Sequence, residues 1–317
     1  SSGNNEVPTS FEVLHSALEE GENTIVLTVV DNAENETVES VVIELDKTAP
    51  EIEIPQLNTW YKEEFGTNLT YVEKNEIVEI YAWSSTTAAD TTVPGNASNL
   101  VVEGLASPVA IAASAIKWEL AQSAKNYLHI KVVDEVGNAS YIHEEFGFDN
   151  VVPTGSIKFD RTISNTGNEN AIIEYSDATS QVTHMMVGGD ITNASADWET
   201  IAASRGVTLA TGDGMKNLKV KFKDAAGNES DWIAAENQCE LDTTAPSVTV
   251  TLFKADGTTT KPAVSAEAET VVKLAITDDM IGKRVEYRLF GDFVESDEAQ
   301  WKELVLDAGT ASASITI

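Results

Sequence analysis

Along much of the chain apolar and polar residues alternate one for one, in short runs. Leu218, Val220 and Phe222 alternate with Lys219, Lys221 and Lys223; Leu128, Ile130 and Val132 follow the same pattern, as do Ile25, Leu27 and Val29. A period of two places successive side chains on opposite faces of a strand, so each run predicts a β-strand with its apolar set turned inward. Apolar-rich runs ending in short polar residues also lie at 77–84, 172–177 and 271–278. Turns rich in Gly, Asn and Pro separate the runs and no long stretch has helical spacing, so the pattern predicts an all-β protein.

Each alternating strand leads into the same kind of turn: Asp31-Asn32-Ala33-Glu34-Asn35, Asp134-Glu135-Val136-Gly137-Asn138 and Asp224-Ala225-Ala226-Gly227-Asn228. The opening Asp keeps the inward parity of its strand and sits over the end of the core, where a carboxylate without partners is costly. Each turn is followed by a second signature: Leu45-Asp46-Lys47-Thr48-Ala49-Pro50, Phe148-Asp149-Asn150-Val151-Val152-Pro153 and Leu241-Asp242-Thr243-Thr244-Ala245-Pro246. Asp149 follows Asp46 by 103 residues and Asp242 follows Asp149 by 93, each the length of one β-sandwich. The spacing divides the chain into the C-terminal part of a domain at 1–46, a domain at 47–149 with an Ala/Ser/Thr-rich insertion near 86–117, a domain at 150–242, and the N-terminal part of a domain at 243–317.

Trp118-Glu119, Trp198-Glu199 and Trp301-Lys302 each open a later segment of their repeat, with Phe11-Glu12 in that place in the first. Ile317 aligns with Val29, Val132 and Phe222, so the last strand takes the place of those three and the two terminal parts overlap by about a strand.

As a set, Asp177-Ala178-Thr179, Trp198-Glu199, Gly212-Asp213-Gly214, the Asp224 turn and the Asp242 linker make the chain resemble the bacterial immunoglobulin-like (Big-type) domains of large surface adhesins and secreted bacterial proteins. The resemblance implies tandem immunoglobulin-like β-sandwiches used for spacing, rigidity and display. Residues 47–149 depart from the pattern by the insertion and by Ser84 where other repeats have Asp, and the first repeat has Glu34 where Gly is usual.

Composition narrows the partners. A formal net charge of −32 disfavours nucleic acid and anionic lipid, which carry the same sign, and suits exposure to divalent cations. The single cysteine, Cys239, allows no intrachain disulfide and sits in a strand pattern that makes it a buried thiol. No apolar run approaches the length of a membrane-spanning helix. The chain opens at Ser1 without a methionine, which reads as a processed or excised piece of an extracellular, cell-surface protein.

Calcium is the ligand these residues suggest. In an immunoglobulin-like sandwich the turn between the last two strands and the turn after the second strand lie at the end where the preceding linker enters. This brings Asp46 near Asp134, Asp149 near Asp177 and Asp224, and Asp242 near Asp278 and Asp279, as oxygen ligands from separate loops. The same residues also make good turns without metal, with Asp accepting backbone N–H groups and Gly or Asn taking positive φ. Both readings stand on the sequence.

Nothing supports catalysis. The four histidines are scattered, and no His-Glu-x-x-His, Cys-x-x-Cys, phosphate-binding glycine loop or Gly-x-Ser-x-Gly occurs. The expected role is an extracellular rod that spaces or presents a binding region, with neighbouring copies or domains of the same protein and a surface receptor or glycan as partners. One alternative is a filament completed by strand exchange between chains. Another is a carbohydrate-binding module using Trp60, Tyr61, Phe65 and Trp83 as a platform.

Overall fold

The computed structural model describes residues 13–101, 106–262, 270–278, 284–288, 301–305 and 310–316. Its residues group into two units, Ser1–Val151 with Ala225–Asn228, and Val152–Asp224 with Glu229–Ile317.

The first unit opens with the hairpin of β1 (Gly21–Val30) and β2 (Glu36–Leu45). It continues with β3 (Glu51–Glu53), β4 (Trp60–Tyr61), β5 (Thr67–Val72), β6 (Ile77–Ser85), β7 (Val109–Ile111), β8 (Ser123–Asp134) and β9 (Ala139–Phe148). These seven form two sheets, β3-β5-β7 and β4-β9-β8-β6. Only β4 and β9 run parallel, with Trp60 opposite Gly147. That close approach needs glycine, because a Cβ at Gly147 would lie 2.4 Å from Cε3 of Trp60. The strand order is that of an immunoglobulin-like sandwich, in which the second, sixth and seventh strands organise two facing sheets. Its core lies between them, with Leu69, Ile80, Leu128 and Ile130 fully buried.

The second unit repeats the plan with β10 (Thr154–Phe159), β11 (Ile163–Ser164), β12 (Asn168–Ser176), β13 (Val182–Gly189), β14 (Glu199–Thr200), β15 (Ser204–Thr208), β16 (Gly214–Lys216), β17 (Leu218–Asp224), β18 (Ile233–Ala234) and β19 (Cys239–Leu241). The sheets are β10-β12-β15, β14-β13-β17-β18 and β11-β19-β16. Here β16 with β17, and β18 with β19, are halves of the last two strands, each interrupted once. Ile157, Val220, Phe222 and Cys239 are fully buried in this core. Burial raises the pKa of the Cys239 thiol, with lesser contributions from Glu169 and Glu240, which keeps it protonated. The unit ends with β20 (Ser247–Phe253), β21 (Val271–Thr277), β22 (Arg284–Tyr287), β23 (Lys302–Val305) and β24 (Thr310–Thr316), in sheets β20-β21-β24 and β22-β23.

The inward parity read from the sequence is the observed one: Leu128, Ile130, Val132, Leu218, Val220 and Phe222 are all buried. Strand identity differs in three places. Residues 77–85 pair with β8, whereas 172–176 and 271–277 pair with the first strand of their own sandwiches, so β6 is a third strand and the true second strand is β5. Strand β24 pairs with β21 as β15 pairs with β12, so it is not the counterpart of β1, β8 and β17; Ile317 itself lies outside the described residues. Among the described residues the two terminal segments therefore share no strand. Trp118 follows β7, the partner of the second strand, whereas Trp198 and Trp301 precede β14 and β23, so Trp118 is not their equivalent. In all three cases local composition points to one strand, and composition does not name the strand it pairs with.

The segment 86–117 carries β7 and also protects a sheet edge. Strand β6 is the outer strand of its sheet, and its free side is taken by Leu100 N–H to Ile80 O (2.9 Å), Lys117 N–H to Ala82 O (3.0 Å) and the Asn99 side chain. Beneath it Trp83 and His129 are fully buried on the outward side of the sheet. His129 Nδ1 lies 2.7 Å from Nδ1 of His143, and its Nε2 lies 2.9 Å from Ser85 Oγ.

Two outcomes test this packing. Phe222→Ala should cost about 3–5 kcal/mol, while Lys221→Ala, whose side chain points away from the core, should cost under about 1 kcal/mol, read from thermal melts. Burial, and secondarily His143, push the His129 imidazole down to about 4, whereas the unfolded chain takes up that proton near 6.5. The unfolded state thus binds more protons across that window, and stability falls as the pH drops through it, by on the order of 3 kcal/mol. His129→Gln should flatten the fall in melting temperature over the same range.

Candidate metal centre at the linker aspartates

In the turns that open at Asp31 and Asp134 the carboxylate folds back on the backbone ahead of it. In the first unit Asp134 is fully buried at the end of β8. Its Oδ1 accepts the N–H groups of Val136, Gly137 and Asn138 at 3.0, 2.7 and 2.8 Å, and its Oδ2 accepts the Asn138 side chain at 2.9 Å. This answers the demand that the inward parity makes of the turn: the carboxylate is buried but fully engaged. Gly137 has φ +97°, and Gly227 in the matching turn has φ +85°. Glu34 holds the same place in the first hairpin with φ 66°, and Asp31 there accepts Ala33 and Asn35 N–H as Asp134 does. The turn thus tolerates a residue other than glycine at a position that favours it.

Asp46 comes to the same place from the linker. Its Oδ1 accepts Thr48 N–H at 2.9 Å, its Oδ2 accepts the Asn75 side chain, and its carbonyl accepts Asn138 Nδ2 at 3.4 Å. The Thr48 N–H is the main reason its carboxyl is held below the usual range, with the Asn75 side chain helping against desolvation. The third member is Glu73, directly after β5, whose Oε1 accepts Lys74 and Asn75 N–H at 2.6 and 3.0 Å. One carboxylate oxygen from each of Asp46, Glu73 and Asp134 lies within 4.8 Å of the others.

That donor set fits a hard divalent cation. Ca²⁺ binds oxygen at about 2.3–2.6 Å, so ligands on opposite sides of one ion stand about 5 Å apart, and these oxygens fall within that span. No imidazole or thiolate contributes, which sets the group apart from sites for zinc or copper. Lys74, which pairs with Glu44, also lies close enough to act on Asp46 and offsets part of the charge.

Glu73 is not among the candidates that the sequence offers, because residues 77–84 read as the second strand and that puts Ser84 in its place. A spacing signal was available: Glu73 follows Asp46 by 27 residues, and Asp177 follows Asp149 by 28.

Asp149 is fully buried just after β9. Its N–H donates to Tyr61 O at 2.9 Å, and its carbonyl accepts Asn228 Nδ2 at 2.8 Å, the bond that Asn138 makes to Asp46. In the second unit Asp177, directly after β12, accepts Thr179 and Ser180 N–H at 2.9 Å each, and one of its oxygens lies within 4.8 Å of one from the buried Asp224. Asp242 accepts Thr244 N–H at 3.0 Å, and among the described residues neither it nor Asp278 joins a third group of this kind. Asp279 lies outside the described residues. The Gly212-Asp213-Gly214 motif is explained by the next linker: Asp213 accepts Thr243 N–H and the hydroxyls of Thr243 and Thr244 at 2.7–3.0 Å, and these bonds lower its pKa.

Of the four aromatic residues of the platform, Trp83 lies in the interior and Trp60, Tyr61 and Phe65 are half-buried. Tyr61 and Phe65 stack at 3.7 Å between centroids and pack against the core with Trp118, while Trp83 is fully buried.

The strand orders define the class: an all-β protein of tandem immunoglobulin-like sandwiches. No known family and no curated protein sequence matches the chain. Among solved structures it is similar to the fibronectin(III)-like modules of Clostridium thermocellum CbhA, at 12% identity and TM-score 0.31 over 60% of this chain and 94% of that one. It is similar also to a tetra-tandem repeat in the extending region of a large adhesion protein, at 17% and 0.30 over 94% and 74%, and to murine CEACAM1b, at 10% and 0.31 over 59% and 100%.

Replacing Asp134 separates its two duties. Asp134→Ala should destabilise its domain by about 1–3 kcal/mol in chelator, because the three N–H groups that the buried carboxylate holds lose their acceptor. Asp134→Asn, which keeps an oxygen for them, should recover most of that loss in the same melts.

Proposed function

We propose that the chain is part of an extracellular structural and adhesive rod on a bacterial surface, whose sandwich junctions are stiffened by Ca²⁺. The observation that carries this reading is the meeting of Asp46, Glu73 and Asp134, one from a linker and two from loops of the sandwich that the linker enters. Three carboxylates so close repel one another unless a cation or protons intervene. A bound ion would tie the linker to the sandwich and oppose bending, where domain contacts alone are usually small and polar. By the sequence repeat, Asp149 stands to Asp177 and Asp224 as Asp46 stands to Glu73 and Asp134, and the reading extends to them. Catalysis has no part in it.

Chelator should lower the melting temperature and shorten the mean length seen by small-angle scattering, and added Ca²⁺ should restore both. Glu73→Gln should remove most of the Ca²⁺-dependent rise in melting temperature while leaving the chelated melt nearly unchanged, since Glu73 is half-buried and supports no strand. A length and melt indifferent to chelator would refute the calcium junction.

A further inference from the structure

The outward face of sheet β14-β13-β17-β18 has a charge opposite to that of the chain. Across 52 acidic and 20 basic residues, this face gathers Lys219, Lys221 and Lys223 on alternate positions of β17, with His184 beside Lys223 on β13. One carboxylate, Glu229, meets them, at 2.6 Å from Lys221 and 2.9 Å from Lys223. Lys219 is exposed and pairs with no carboxylate among the described residues. Two indoles flank the lysines. Lys219 Nζ sits 4.7 Å from the Trp232 ring centroid, and Lys223 and Lys221 sit 4.3 and 5.4 Å from that of Trp198. The Lys219 stem and the Trp232 ring pack down over Gly188, where a Cβ would stand 3.2 Å from Lys219 Cε. Trp232 keeps 43% of its surface exposed.

We propose that this face binds an acidic polysaccharide of the polyuronate class. Alternate residues of a strand stand about 6.6 Å apart at Cα, so the three lysines line one face, with Lys221 and Lys223 converging on Glu229 and Lys219 left apart from it for a uronate carboxylate. The cation–π contacts hold the ammonium groups in place, so less side-chain freedom is lost on binding. The exposed indole offers a flat apolar surface for the C–H face of a ring. Polyphosphates fit less well because they offer no apolar ring face to the exposed indole, and an anionic bilayer is bound through many cations at once, where this face supplies three.

The test is titration of the chain with polygalacturonate in chelator at low salt, so that bridging metal contributes nothing and the calcium junction plays no part. Binding should weaken with salt and with methyl esterification of the polymer. Lys219→Ala and Trp232→Ala, both on the exposed face, should each weaken it by about tenfold with no change in melting temperature. Absence of binding, affinity unchanged in both variants, equal affinity for the fully methylated polymer, or equal affinity for duplex DNA or phosphatidylserine vesicles would each overturn the proposal.

Discussion

A carboxylate at the end of a core strand is tolerable only if its oxygens are occupied, and much of this chain's organisation follows from how that need is met. Asp134 closes β8 while still facing inward, and the chain turns sharply enough for three successive N–H groups to converge on one oxygen. The turn then sets where β9 begins and in what register it returns. The Asn that closes the turn reaches the linker carbonyl, Asn138 to Asp46 and Asn228 to Asp149, so the same few residues finish one hairpin and hold the entering chain. Asp31 makes the same backbone bonds in the first hairpin, so the turn itself gives these carboxylates partners.

A cation would use what this arrangement leaves over. Glu73 is the informative member, because it is not part of the Asp134 turn yet lies against it. An acidic side chain placed beside two others gains nothing from them without a counter-ion. In that sense the turn accounts for Asp134, the linker for Asp46 and its own N–H bonds for Glu73, and a positive charge would offset the repulsion among the three. Lys74 supplies part of that charge, as its action on Asp46 indicates.

The two sandwiches spend their outward faces differently. In the first, segment 86–117 covers the edge of β6 and seals Trp83 and His129 beneath it, so aromatic residues that would suit a surface are interior. In the second, the equivalent sheet stays open and bears lysines and indoles. One fold thus carries a closed face and an open one, as expected of a scaffold whose loops and outward positions vary while the inward ones keep the core.

The sequence by itself determined the β-class, the inward parity of β8 and β17, and the position of every turn Asp, because these are local: a period of two and a turn motif are written in adjacent residues. It did not determine which strands are neighbours. Residues 77–85 and 310–316 look like the second and sixth strands of a sandwich in composition, yet pair as the third and fifth, since pairing depends on partners far along the chain that alternation does not name. Glu73 was missed through that one misassignment, and the burial of Trp83 and His129 followed from a segment that folds back over a distant strand. Tertiary structure decided which acidic residues meet and which aromatic residues remain exposed, because both depend on how the chain returns to itself in space.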